Sequence, residues 1–152
     1  MTKSKITLLA LSLLLADQLT KLCVAIYLVK PVKIIGDFLT LEKSLNPGIA
    51  FGIQLNPKIV LILSLVVILF VLKVAKTELN FSHRSTKLAF ALILSGALGN
   101  IIDRLIRGEV IDFIAFNFWP SFNLADAFIV TGVAMTIIFQ KTILKHHSKP
   151  RT

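Results

Sequence analysis

The sequence predicts an all-α integral membrane protein: four transmembrane helices, a small external β-structure and a second, short external loop. Three observations carry this. Of 152 residues, 55% are apolar and only 16% charged, whereas roughly a quarter of a soluble domain is charged. The mean hydropathy is +0.82. The basic residues fall in short clusters between long apolar runs rather than over one solvated face. Seventeen Lys and Arg against eight Asp and Glu leave a net charge of +9, which would otherwise raise nucleic acid as a partner. Their placement reads instead as an orientation signal, with no nucleic-acid role. One membrane-embedded domain, 1–152, is expected, and the lone Cys23 excludes an intrachain disulfide or a Cys-based metal centre.

The spans are expected at about 6–29, 57–75, 87–106 and 122–142. The first is long enough, at about 1.5 Å per residue, to cross a hydrocarbon layer of roughly 30 Å. It is interrupted by Asp17, Gln18 and Lys21. Lys3 and Lys5 ahead of Ile6 to Ala16 resemble a cleavable leader, but Asp17, Gln18 and Leu19 follow where a small-residue cleavage site would stand, so a retained helix is expected. In the second, the 14-residue run Ile59 to Leu72 is extended by Lys58 and Lys73, which can snorkel. The third runs past Asp103 and Arg104 towards Arg107, and the fourth carries Asn123 and Asp126 in its first turns.

Four spans put both termini on one side. The N-terminus (Lys3, Lys5), the middle loop (Lys73, Lys76, Arg84, Lys87) and the tail (Lys141, Lys145, Lys149, Arg151) hold ten basic residues. The other two loops hold five: Lys30, Lys33, Lys43, Lys58 and Arg107. Positive-inside bias therefore makes the termini cytoplasmic. Residues 30–56 mix β-formers with turn signals at Gly36-Asp37 and Asn46-Pro47-Gly48, which predicts the external β-structure. Residues 107–121 form the second outer loop, whose Phe113, Phe116, Phe118 and Trp119 suit a membrane interface.

A charge in lipid costs at least about 2.5–3.5 kcal/mol, so each needs a reason. With the termini inside, the polar residues gather in the outer half of the membrane. Asp17 and Lys21 are an i, i+4 pair; Gly96, Asn100, Asp103 and Arg107 share one helix face, with Arg104 four past Asn100; Asn123 and Asp126 are one turn apart. Interhelical glue explains Asp17, Lys21 and Asp103, each of which has a neutralising neighbour. Asp112 and Asp126 lack one: Arg107 is five residues from Asp112, and no basic residue lies within 14 of Asp126. Two carboxylates about 4 Å apart repel by roughly 4 kcal/mol at an effective dielectric near 20 and can share one proton near neutral pH. An acid beside a base is what activates water on an amide carbonyl; buried hydrogen bonding is the other reading of the same pair.

Five stretches in order then resemble one family: Asp17-Gln18-Leu19-Thr20-Lys21, Asn46-Pro47-Gly48-Ile49-Ala50-Phe51-Gly52, Gly96 to Arg104, Gly108-Glu109-Val110-Ile111-Asp112-Phe113 and Phe122-Asn123-Leu124-Ala125-Asp126. The chain resembles bacterial lipoprotein signal peptidase, the type II signal peptidase. The resemblance implies a four-helix aspartic endopeptidase of the bacterial inner membrane, its active site near the outer leaflet. It implies action on prolipoproteins whose Cys just after the cut carries a diacylglyceryl group, contact with membrane lipids, a monomer, and neither cofactor nor metal. It implies Asp112 and Asp126 as the catalytic pair, with Asn100, Arg104 and Asn123 as the polar shell. Asp17 and Lys21 become a structural or substrate-orienting pair and Asn46 and Gly48 part of the external loop, while Ala125 is a small residue that permits close approach of a substrate backbone or, equally, close helix packing. Asp103 rivals Asp112 for the first catalytic position, but its neighbour Arg104 favours a structural role.

One departure is that only 13 residues separate Asp112 from Asp126, which shortens the element beside the site. His83, His146 and His147 fall on the cytoplasmic side, away from the carboxylates. From another class, a small transporter or proton relay would need polar residues through the full membrane depth, whereas Ser64 is the only one in the second span's run from Ile59 to Leu72.

Overall fold

No proline or glycine interrupts residues 3–27, and they form one helix, α1 (Lys3–Tyr27), capped by the Thr2 hydroxyl. The computed structural model describes residues 2–48 and 56–144. Ile49, Ala50, Phe51 and Gly52 of the second motif, and the tail residues Lys145, His146, His147, Lys149 and Arg151, lie outside the described residues. Strands β1 (Val32–Ile35) and β2 (Leu39–Asn46) follow, joined by a turn in which Gly36 takes a φ of 47°. Helix α2 (Pro57–Glu78) starts where Asn-Pro predicts a start. Asn56 accepts from the Lys58 N–H at 3.0 Å, and Pro57 occupies the first turn, where a missing N–H is harmless. Helix α3 (Arg84–Arg107) ends on Gly108, whose φ of 80° lets its N–H close on the Arg104 carbonyl.

The second outer loop is not a loop. Residues 110–122 form a hairpin of β3 (Val110–Phe116) and β4 (Trp119–Phe122), and β3 pairs antiparallel with β2 to give one four-stranded sheet in the order β1-β2-β3-β4. The β-branched and aromatic run from Val110 to Phe116 favours a strand, and β2 offers it an unpaired edge. Ser44 stands opposite Asp112 and Asn46 opposite Val110.

The end of the chain also differs from the expected fourth span. Helix α4 (Leu124–Ile138) stops short of residue 142, and after Phe139 the chain makes one turn, α5 (Gln140–Ile143). Burial explains the break: Ile143 is fully buried against Ala75, Leu79 and Ala89, and its carbonyl accepts from the Asn80 N–H at 2.7 Å.

Three helices, α1, α2 and α3, are long and apolar enough to cross a membrane, while α4, with 15 residues, is shorter. Helix α3 packs against each of the other three. On α1 the side chains of Leu8, Leu11, Leu15, Leu19, Leu22 and Ile26 form an exposed stripe, while Asp17 and Lys21 are fully buried. That inversion is stable only where the surrounding medium is apolar. Small residues let α4 lie close on α3: a side chain at Gly96 would meet the Ala125 carbonyl and Ile129, and one at Gly132 would come within 2.8 Å of the Ala89 carbonyl.

Candidate active site

Asp112 and Asp126 line one cavity of about 960 Å³, Asp112 from β3 and Asp126 from the first turn of α4. Asn46 and Gly48 from the end of β2, Asn100 and Arg104 from α3, and an apolar wall of Trp119, Phe122 and Val130 complete it. Antiparallel β2–β3 pairing brings Asn46 within 2.9 Å of Asp112 across 66 residues.

Three asparagines supply the donors, and in each the chemistry of a second partner fixes which way the amide points. The Asn46 oxygen accepts from the Gly48 N–H at 3.1 Å, so its NH₂ faces Asp112. The Asn123 oxygen accepts from the Asp126 N–H at 3.0 Å in a capping box. Its NH₂ then reaches Asp112 at 2.6 Å and the Asn100 oxygen at 3.2 Å. The Asn100 oxygen also accepts from the Lys21 ammonium at 3.0 Å, which turns its NH₂ to Asp126 at 2.8 Å. An ammonium or a backbone N–H can only donate, so reversing any of these amides would set donor against donor and acceptor against acceptor.

Behind this shell, and not lining the cavity, sits a buried ionic cluster. Lys21 pairs with Asp17 at 2.9 Å and with Asp103 at 2.8 Å, all three fully buried. Asp17 also accepts from the backbone N–H of buried Ala125 at 2.9 Å, tying α1 to the start of α4. The residues expected at the site thus lie either in the cavity wall or in the hydrogen-bonded cluster directly behind it. The Arg that pairs with Asp103 is not its neighbour in the chain. Arg104 turns to the cavity, donating to the Asn100 carbonyl at 3.4 Å and the Gly48 carbonyl at 3.3 Å, and the pairs of Asp103 are with Lys21 and Arg107. The helix twist decides this, since Arg104 is about 100° round from Asp103 while Arg107 lies one turn on.

Two residues gain roles that the sequence reading passed over. Gln18 donates within reach of Asp17 (3.1 Å), the Gly99 carbonyl (3.2 Å) and Asp103 (3.4 Å). Arg107 pairs with the Asp103 oxygen that Lys21 leaves free, a pairing already visible in its i, i+4 spacing.

Burial pushes the Asp112 carboxyl up to about 6, with the charge of Asp126 adding to it; hydrogen bonds from Asn46 and Asn123 and the charge of Lys21 pull the other way. Among the described residues no group of three His, Cys, Asp or Glu side chains is arranged to hold a metal ion.

Apolar helices and a small sheet around a cavity in which two carboxylates meet a shell of fixed amide donors define a class: membrane proteins with a carboxylate-lined site. Residues 9–142 match the family model for signal peptidase (SPase) II, and the chain belongs to that family, a family of proteases. A lipoprotein signal peptidase of Chlorobium phaeobacteroides is 36% identical over 160 residues, covering 92% of each chain. One from Moorella thermoacetica is 41% identical over 133 residues, covering 83% of this chain and 85% of the other. Two solved structures, both described as a bacterial membrane enzyme structure by the in meso method, are similar throughout. The one at 2.3 Å resolution has a TM-score of 0.76 at 27% identity, covering 98% of this chain and 96% of that one. The one at 1.9 Å has a TM-score of 0.74 at 29% identity, covering 91% and 93%.

Proposed function

We propose that the chain is an endopeptidase that removes the signal peptide from diacylglyceryl-modified prolipoproteins, cutting just before the lipid-modified Cys, with Asp112 and Asp126 as the catalytic pair. The observation that carries this reading is the meeting of both carboxylates on Asn123, within one cavity walled elsewhere by apolar and aromatic residues. Asp112, buried and raised to about 6, is the partner that keeps the proton. Its O–H polarises the scissile carbonyl while Asp126 takes a proton from the attacking water. The carbonyl oxygen receives the Asp112 proton as the C–O bond forms, giving a neutral gem-diol. On collapse, Asp112 recovers a proton from a gem-diol hydroxyl, Asp126 gives its own to the departing nitrogen, and the C–N bond breaks. Asn100 and Asn123 hold the pair, and Arg104 supports the substrate backbone.

In this reading the chain spans the bacterial inner membrane four times as a monomer, with termini in the cytoplasm and the cavity at the outer leaflet. Helix α4, about 22 Å long, makes the fourth crossing with help from the residues at its ends. The basic clusters support the orientation, and the exposed apolar stripes support contact with membrane lipids. The apolar cavity wall suits an acyl-bearing substrate. Incubating the purified chain with a diacylglyceryl-modified precursor and with the same precursor unmodified tests the assignment. Cleavage of the modified form, leaving Cys at the new N-terminus, is expected; equal cleavage of both, or of neither, contradicts it.

A further inference from the structure

We propose that Lys21 is a positioning residue for peptide cleavage: its ammonium, sealed off from the cavity, fixes the Asn100 amide so that an N–H donor rather than an oxygen faces Asp126. This role rests on the reading of Asp112 and Asp126 as the catalytic pair. Lys21 is fully buried and does not line the cavity, so it cannot touch a substrate held there. Three oxygens surround its ammonium: Asp17 at 2.9 Å, Asp103 at 2.8 Å and the Asn100 oxygen at 3.0 Å. Fastening α1 to α3 needs only Asp103, since Asp17 stands on α1 with Lys21. The third contact is with a neutral amide whose NH₂ end reaches Asp126 at 2.8 Å.

A buried lysine among carboxylates is poor evidence for stability, because desolvation offsets most of the attraction. Its chemistry is decisive in another way. An ammonium has no acceptor, so Asn100 must offer it oxygen, and the NH₂ is left for Asp126. With an apolar side chain at position 21 the Asn100 oxygen keeps only the 3.2 Å bond from the Asn123 NH₂, a group it shares with Asp112, and an amide that turns sets two acceptors face to face at the Asp126 carboxylate. The same ammonium belongs to the charges that face Asp112, with Arg104 from α3 and Asp126 from α4.

The experiment uses the full-length, purified chain with a diacylglyceryl-modified precursor and compares Lys21→Met, the double variant Asp17→Asn/Lys21→Met, and Asp112→Asn. The double variant removes the cluster's lysine with one of its counter-charges, while the amide introduced at position 17 keeps an oxygen for the Ala125 N–H. Expected for Lys21→Met is a fall in kcat on the order of 10²-fold with KM little changed, and an alkaline limb of the pH profile displaced to higher pH. Expected for the double variant is a melting temperature near that of the parent chain with kcat still low. Recovery of kcat together with melting temperature in the double variant, or an undiminished kcat in Lys21→Met, overturns the proposal and leaves Lys21 as interhelical glue. Asp112→Asn separates the two levels: cleavage at the parent rate there defeats the catalytic-pair reading itself, whatever Lys21 does.

Discussion

The side-chain amide of Asn123 donates to Asp112 at 2.6 Å while its oxygen caps the first turn of α4. One residue therefore sets both the start of a helix and the spacing of the two carboxylates. These tasks are separable. Ser caps a helix about as well as Asn, but has no NH₂ to reach Asp112. Asn123→Ser is expected to melt close to the parent chain and to lose activity by roughly 10- to 100-fold, whereas Asn123→Ala loses the same activity and about 1 kcal/mol of stability as well. Thermal melts in detergent beside cleavage rates check both.

The proposed role of Asp112 as the protonated partner predicts a pH profile. Deprotonation of a group held at about 6 lowers kcat/KM as pH rises through that region. Asn46 favours the ionised form by donating to it, so Asn46→Ala moves this limb to higher pH. An unmoved limb, measured by initial rates across pH, means that Asn46 does not act on Asp112.

The same group links stability to pH. Its folded value of about 6 lies above the ordinary 3.8, so the native chain binds more protons than the unfolded one between those values. Asp112 therefore contributes stability that is complete below about pH 4 and is lost as pH rises through about 6. Denaturant midpoints taken across that window should fall with this component in the parent chain and lack it in Asp112→Asn.

Gly99 lies under the ionic cluster, where a side chain would strike the Asp17 carboxylate. Gly99→Ala is expected to push Asp17 off the Ala125 N–H, costing about 1–3 kcal/mol and lowering cleavage through a displaced α4. Denaturant unfolding and a rate assay test it; parental values for both mean that α1 yields without moving the site.

Much of this was legible in the sequence because the membrane makes polar residues informative. Asp17, Lys21, Asn100 and Asp103 stand out against an apolar background, and helical spacing alone puts them on inward faces. The i, i+4 geometry also anticipates the Asp17–Lys21 pair. What stayed hidden was long-range pairing. Nothing local in residues 107–121 says that β3 has an edge to join, since β2 lies some 66 residues earlier in the chain. Which arginine pairs with Asp103 was hidden for a similar reason: Arg104 is adjacent in sequence but not on the helix, and Arg107 makes the pair. The early end of α4 depends on where Ile143 finds a core, which only the assembled helices provide.

If Asp112 and Asp126 cleave the substrate together, neither can do so alone, because a lone carboxylate can serve as acid or as base but not as both. The decisive quantity is the single-turnover rate of diacylglyceryl-precursor cleavage by purified, folded Asp112→Asn and Asp126→Asn. Each substitution by itself is expected to abolish cleavage. Cleavage at the parent rate by either variant would refute the shared role of the two aspartates.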